Sequence, residues 1–471
     1  MELDPLLLSR LQFAFVVAFH AIFPVFTIGL ASYIALLNGL FFKTENPAWD
    51  RLALFWTKVF AVVFGMGVVS GIVMSFQFGT NWSNFSLASS NFLGPVLSYE
   101  VVTAFFLEAA FLGVLLFGRG KVPQGVHLFA ALMVAAGTFI SSFWILSANS
   151  WMQTPGGVEL IDGRFHVTSW SEAIFNPSFW YRFWHMVLAS FLTGGFVVAG
   201  VSAWYLLIRR DVEANRKAFS MCLWLLLVLT PAQAVLGDFH GLNTLEHQPT
   251  KVAAMEGNWE RSGNVPLLLF AWPDQEAQTN RFEVGIPNLA SLILTHEAEG
   301  VVPGISEVPP EEQPPVWLVF WSFRIMVGIG LAMIAVSLAG LALRRRGRVY
   351  EHRGFLQLMR VMTVTPFIAV VAGWVVTESG RAPWLVYGLM THAEGLTPSL
   401  TGGMALFTLI GYMAVYAVVF WAGVYYLTRV VRQGMLPEAS QAHVQETERP
   451  KRPLSAADVP FDDASSQLGG H

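Results

Sequence analysis

At 471 residues the chain has the length of two or three soluble domains, yet only 13% of its residues are charged, 54% are hydrophobic and its mean hydropathy is +0.52. Soluble domains carry roughly 25% charged residues, so this chain could not cover its own surface in water, and a membrane protein is expected. The net charge of -4 says less than its distribution, no nucleic-acid partner is expected, and the single cysteine, Cys222, excludes an intramolecular disulfide or a cysteine-based metal site.

The N-terminus, Met-Glu-Leu-Asp-Pro, lacks a basic leader region, and the apolar stretch after it is too long for a cleaved signal, so a retained span is expected. About 20 apolar residues at ~1.5 Å each cover ~30 Å of hydrocarbon. Nine such runs occur, near 12–40, 52–79, 94–117, 125–148, 180–208, 218–238, 316–343, 357–379 and 403–430. The fold class is therefore an all-α polytopic membrane protein with nine transmembrane helices. Alternate loops hold Lys43 and Arg51, then Arg119 and Lys121, then Arg209, Arg210, Arg216 and Lys217, then Arg344, Arg345, Arg346, Arg348 and Arg353. The opposite short loops carry few cations apart from Arg164 and Arg381, which places the N-terminus outside and the C-terminus inside.

Four regions follow: helices one to six over 1–238, an outer loop over 239–315, helices seven to nine over 316–433, and a polar inner tail over 434–471 whose composition predicts disorder. The loop is too long for a plain connector, and loops of that length are usually functional. Its first part, GDFHGLNTLEHQPTKVAAMEGNW, has a short helical pattern, whereas GVVPGISEVPPEEQPP reads as a spacer.

Ionisable groups inside spans are costly and mark function. They are His20, Lys58, Glu100, Glu108, His185, Arg324 and Glu378. Counted inward from the outer ends, His185, Glu100 and Glu378 lie ~9 Å deep, and His20 and Met326 ~15 Å. Glu108 lies two turns deeper than Glu100 on roughly the same face. Five residues able to ligate iron thus share one slab near the outer surface, on five helices. Imidazole, thioether and carboxylate all suit haem iron, and Gly194, Gly195, Gly328 and Gly330 offer the close backbone approach a flat macrocycle needs. On spacing alone, an ion-coupled transporter fits as well as a haem protein.

The residue runs go further. SRLQFAFVVAFH ending on His20, FGTNWSNFS, EVVTAFFLEAAFLG, ILSANSWMQTPGG, FWHMVLASFLTGGF, FRIMVGIG and GWVVTESGRAPW occur in order along nearly the whole chain. In these motifs the chain resembles subunit I, the large subunit of cytochrome bd-type quinol oxidases. The resemblance implies a copper-free quinol:oxygen oxidoreductase of the bacterial cytoplasmic (inner) membrane with three haems: low-spin b, high-spin b and d, or a haem b in place of d. His185 and Met326 match the axial pair of the low-spin haem, with Arg324 close enough to meet a propionate. His20 and Glu378 match ligands of the other two haems, with Glu100 beside them, and which residue serves which haem stays open. Trp374 and Arg381 belong to the Glu378 motif and are expected at the cofactors.

The outer loop resembles the family's quinol-binding segment, with Lys251 and Glu256 in QPTKVAAMEG. A carboxylate there can accept a proton while an ammonium polarises an oxygen. The loop is short for the family, and its GLNTLEHQPTK wording is similar to the cyanide-insensitive branch. Glu108 is the expected proton relay from the inside. Ala109 stands where some relatives carry a hydroxyl, and Ser141 and Ser142 could supply the missing donor. The implied partners are ubiquinol or menaquinol, O2, lipid and a smaller membrane subunit II, with or without a small accessory subunit. Two rivals from other classes are a cytochrome that anchors a dehydrogenase and an ion-coupled transporter.

Overall fold

The first helix starts where the sequence supplies both a cap and a proline. The Leu6 amide donates to the Asp4 carboxylate at 2.8 Å, and Pro5 takes the first helical position, where no N–H is needed. This helix, α1, runs Pro5–Thr44, and Asn46 with Pro47 repeats the device for α2 (Pro47–Ser75). After the single turn α3 (Gln77–Thr80), α4 (Ser83–Glu100) passes through a π-helical turn at Val101–Phe105 into α5 (Phe106–Phe117), and α6 spans Gln124–Gln153. A hairpin, β1 (Val158–Ile161) with β2 (Arg164–Val167), and α7 (Trp170–Ile174) precede α8 (Phe179–Leu207) and α9 (Val212–His247). Then come α10 (Pro249–Glu256), a second hairpin of β3 (Leu267–Asp274) and β4 (Thr279–Ile286), and α11 (Leu289–Thr295). The chain continues through α12 (Val316–Arg345), α13 (Arg353–Met362), α14 (Thr365–Ser379), β5 (Trp384–Val386), β6 (Met390–Thr391), α15 (His392–Gly395) and α16 (Gly402–Gln433).

This computed structural model describes residues 3–435, and among them nine helical stretches are long and apolar enough to cross a membrane. The all-α polytopic architecture expected from the sequence is the one found. Apart from Gly434 and Met435, the tail expected to be disordered lies outside the described residues.

Three features differ from expectation. Helix α9 does not stop at residue 238 but continues to His247, carrying Asp238, His240 and Asn243 on its last turns. The eighth span breaks between α13 and α14, where Pro366 enters the first turn of the new helix; its ring cannot follow a continuous helix. The segment read as a spacer packs instead: Ile305 is fully buried, Val302 bridges to Ser262, and the Gln313 amide donates to the Val308 carbonyl at 3.1 Å.

Lipid tails are as apolar as leucine, so helices in a bilayer are held by close packing rather than by escape from water. The α1–α8 contact shows how. A Cβ on Gly29 would overlap the Ser190 carbonyl, and one on Gly194 would meet Gly29 Cα at 3.2 Å. Around this seam Leu30, Phe60, Phe196, Val198 and Leu226 from α1, α2, α8 and α9 are fully buried. Outside the bundle, α10 buries Lys251 to Glu256 against α12 and α14, with Val252 and Ala253 in one cluster with Val316, Val319 and Val376. The second hairpin lays Leu268 and Ala271 on Phe320.

Candidate functional site

Each imidazole and the thioether singled out in the sequence is faced by a glycine on a neighbouring helix. A Cβ on Gly71 (α2) would come within 3.0 Å of His20 Cε1, one on Gly237 (α9) within 3.4 Å of His185 Cε1, and one on Gly373 (α14) within 3.0 Å of Met326 Sδ. Of the glycines singled out in the sequence, Gly194 packs against α1, a Cβ on Gly195 would meet Leu226, and a Cβ on Gly328 or Gly330 would find open space within 4 Å.

His20 Nδ1 lies 2.8 Å from Ser70 Oγ, and that hydroxyl donates its own proton to the Gly67 carbonyl at 3.0 Å. With the hydroxyl proton on the Gly67 carbonyl, the pair suits a ring protonated at Nδ1, the tautomer that leaves the Nε2 lone pair free for a metal. His185 is oriented differently: Gln233 donates to its backbone carbonyl at 3.1 Å, its ring meets His240 edge-on, and its buried Nδ1 has no hydrogen-bond partner among the described residues.

Glu378, at the end of α14, sits among cations. Arg381 donates to its Oε2 at 2.5 Å and Asn149 to its Oε1 at 2.8 Å. Gln153 Nε2 also approaches Oε1, at 3.5 Å, whereas Oε2 keeps a second lone pair for a further partner. Lys251 reaches the same place from α10, donating to Gln153 Oε1 at 2.7 Å and to the Thr377 carbonyl at 3.1 Å. Burial, with the guanidinium groups of Arg182 and Arg381 nearby, holds the Lys251 ammonium well below the usual lysine range, and Glu378 only partly opposes this.

Arg182 lies one turn before His185 on α8. It is buried, forms no ion pair among the described residues, and leaves its Nε without a partner. Arg381 Nη1 and Trp374 Nε1 are likewise buried and unpartnered. Trp374 packs on the cluster that holds Phe183 and Val187, the neighbours of His185. Three buried basic side chains, two of them guanidinium groups, thus face one carboxylate, with several donors left over. Buried charge of this kind is tolerated only where it is paired.

Glu256 and Lys251, five residues apart on α10, do not pair with each other. Glu256 pairs with Arg324: Nη2 donates to Oε2 at 2.8 Å, while Nε and Nη1 donate to the carbonyls of Leu268 and Met255 at 2.5 and 3.1 Å. The expected propionate contact of Arg324 therefore competes with an ion pair that already engages three of its donor nitrogens. Beside Lys251 a cleft of about 40 Å³ is lined by Thr250, Glu312, Arg381, Trp384 and Tyr387; it has room for a few waters and not for a quinol ring.

Glu100 and Glu108 both turn to α6. Ser141 donates to Glu100 Oε1 at 2.7 Å, while the Ser142 hydroxyl donates to the Thr138 carbonyl of its own helix at 2.9 Å. Glu108 is buried, and its Oε1 has no partner among the described residues.

The sequence reading missed Ser70, Asn149, Gln153, Arg182 and His240. The basic character of Arg182 beside the FWHMV run was the one signal that could have found it; the others are ordinary residues that only the fold brings in. Among the described residues no three His, Cys, Asp or Glu side chains converge on one point. The candidate ligands stand singly on separate helices, as axial ligands of a macrocycle do and as the cage of a bare ion does not. The surplus buried donors suit a group with carboxylate arms, so the residues fit haem.

Residues 8–435 match the family described as cytochrome bd terminal oxidase subunit I. The chain is 36% identical over 442 residues to the cytochrome bd ubiquinol oxidase subunit 1 of Bacillus subtilis, covering 92% of this chain and 94% of the relative. It is 32% identical to the cytochrome bd-II ubiquinol oxidase subunit 1 of Escherichia coli, over 93% and 98% of the two chains. Its fold is similar to that of the bd oxidase from Geobacillus thermodenitrificans, with a TM-score of 0.83 and 29% identity over 92% of this chain and 99% of that one.

Proposed function

The chain belongs to the cytochrome bd oxidase subunit I family and is a quinol oxidase subunit; from that premise we propose how its residues divide the work. His185 and Met326 hold a low-spin haem b, and His20, Glu378 and Glu100 serve a high-spin haem b and a haem d, or a second haem b in its place. When bound, these haems carry single electrons and provide the place where dioxygen is reduced.

The observation that carries the reading is the seating of α10. One end of this helix reaches the Glu378 cluster through Lys251, and the other clasps Arg324, two residues before Met326, through Glu256. A quinol oxidised beside α10 is then in contact with both ligand-bearing turns. Quinol oxidation releases two protons. We assign the acceptor role to Lys251, whose ammonium form burial and the nearby guanidinium groups disfavour, in place of the Glu256 carboxylate expected from the sequence, while Glu256, paired with Arg324, orients a hydroxyl. The 40 Å³ cleft is too small for the ring, so the covering stretch from Val308 to Pro314 moves when quinol binds.

The N-terminus faces outside, quinol protons leave on that side, and the protons for water come from the inside through Glu108 and the Ser141–Glu100 pair. Charge separation follows without a pump. The surplus of Arg182, Lys251 and Arg381 over Glu378 receives carboxylate arms of a bound haem. The assembly contains a smaller subunit II and resides in a bacterial inner membrane. A reduced-minus-oxidised spectrum of the purified complex tests this: a chlorin band in the red beside b-type bands supports it, b-type bands alone favour two haem b groups at the oxygen site, and a colourless protein overturns it.

A further inference from the structure

Glycine at position 137 has a reason that helix packing alone does not supply. A Cβ there would overlap Glu108 Cγ and lie 3.2 Å from its Oε1, so the Glu108 carboxyl lies in space that any side chain on α6 would fill. Among the described residues none satisfies that oxygen. Two further residues on the same stripe of α6 hold the same partner helix. Ser141 donates to Glu100, and Trp144 Nε1 donates to Thr103 Oγ1 at 2.9 Å. Positions 137, 141 and 144 follow i, i+4, i+7, one face of one helix.

Thr103 lies in the π-helical turn Val101–Phe105. Over a regular helix, eight steps of about 100° would leave Glu108 about 80° away from Glu100. A π turn inserts about one extra residue and takes back about one step, which brings both carboxylates to the α6 side. The face shared by Glu100 and Glu108 is therefore made by the π turn, and the room for Glu108 is made by Gly137.

We propose that Gly137, with the π turn at Val101–Phe105, positions the Glu108 carboxyl for proton delivery toward Glu100. Gly137 touches no substrate and acts only through Glu108 as a positioning residue. The inference rests on the relay reading of Glu108 given above.

The test is a double-mutant cycle in the complete oxidase: native, Gly137→Ala, Glu108→Ala and the double variant, with Glu108→Gln alongside. The readouts are oxygen uptake, haem spectra, and the infrared carboxyl stretch defined as the band lost in Glu108→Ala. Gly137→Ala is expected to shift that band and slow turnover on the order of 10-fold or more, with haem spectra unchanged, because misplacing a reacting group by ~1 Å can cost on the order of 10²-fold. In the Glu108→Ala background the same substitution is expected to be silent, since Cγ is gone. A native band and native turnover in Gly137→Ala overturn the inference, as does a further loss in the double variant. If Gly137→Ala does not assemble, a double variant that does assemble supports the inference, and one that fails where Glu108→Ala succeeds overturns it. If Glu108→Gln retains native turnover, the relay reading falls by itself; the infrared shift then still decides whether Gly137 sets the carboxyl's position.

Discussion

Replacing Glu256 by alanine removes the carboxylate that Arg324 grips at 2.8 Å, with side chains only 6% and 11% exposed. At that separation and an effective dielectric constant of about 20, the gross attraction is at most about 6 kcal/mol. Stranding one member of a buried pair typically costs about 3–5 kcal/mol. Arg324 keeps its bonds to the carbonyls of Leu268 and Met255, so the lower end applies here. If all of about 3 kcal/mol is felt at the quinol site, kcat/KM for quinol falls by on the order of 10²-fold. An uncompensated guanidinium two residues from Met326 also disfavours the oxidised haem, so the midpoint potential of the low-spin b signal rises. The assay compares oxygen uptake driven by quinol with uptake driven by an artificial donor feeding the haems directly, alongside a redox titration. Glu256→Gln, which keeps volume and an acceptor, should fall between native and alanine. Equal losses with both donors, or an unmoved potential, would refute the reasoning.

His185→Ala should abolish the low-spin haem signal while the remaining b-type and chlorin bands persist, read from difference spectra; a spectrum that keeps the signal ends the assignment. Ser70→Ala frees the His20 ring from the hydroxyl that fixes its tautomer, and loss of such a support should weaken haem retention on the order of 10–100-fold, measured as haem lost per protein on detergent washing. Lys251→Met removes the bonds to Gln153 and Thr377 and should raise KM for quinol. Because Lys251 is held well below the usual lysine range, it is neutral above its lowered folded value and protonated only below it. The native quinol rate should therefore fall on acidification, and a Lys251→Met enzyme that keeps the same acid limb would contradict the role given to it.

Nine spans were legible because lipid imposes a one-dimensional rule: length and apolarity decide, and an ionisable residue stands out against them. The rule fails where polarity returns without the helix ending. The stretch from Asp238 to His247 looks like loop by hydropathy, yet its backbone continues α9 because its side chains pack on neighbours, as Asn243 does on the Pro177 carbonyl. The hairpin of Leu267–Asp274 gave no alternating pattern, since its burial follows Phe320 and its register is interrupted. Among site residues, Glu108 was visible by itself, but its relation to Glu100 depends on a π turn whose extra residue leaves no mark in sequence. The pairing of Glu256 with Arg324 joins residues far apart in the chain, and no local pattern could have shown that the loop acid and the span cation take each other.

Helix α10 is tied at both ends to the bundle, by Lys251 to α6 and α14 and by Glu256 to α12. Thermodynamically, the loop and the helices that carry the proposed haem ligands then form one linked system. Any factor by which reduction near Met326 changes quinol affinity must reappear, unchanged, as the factor by which quinol shifts that reduction equilibrium. For a one-electron couple each tenfold of that factor is about 59 mV. A redox titration with and without quinol thus measures, in millivolts, how firmly eight residues of loop helix hold the two sites together.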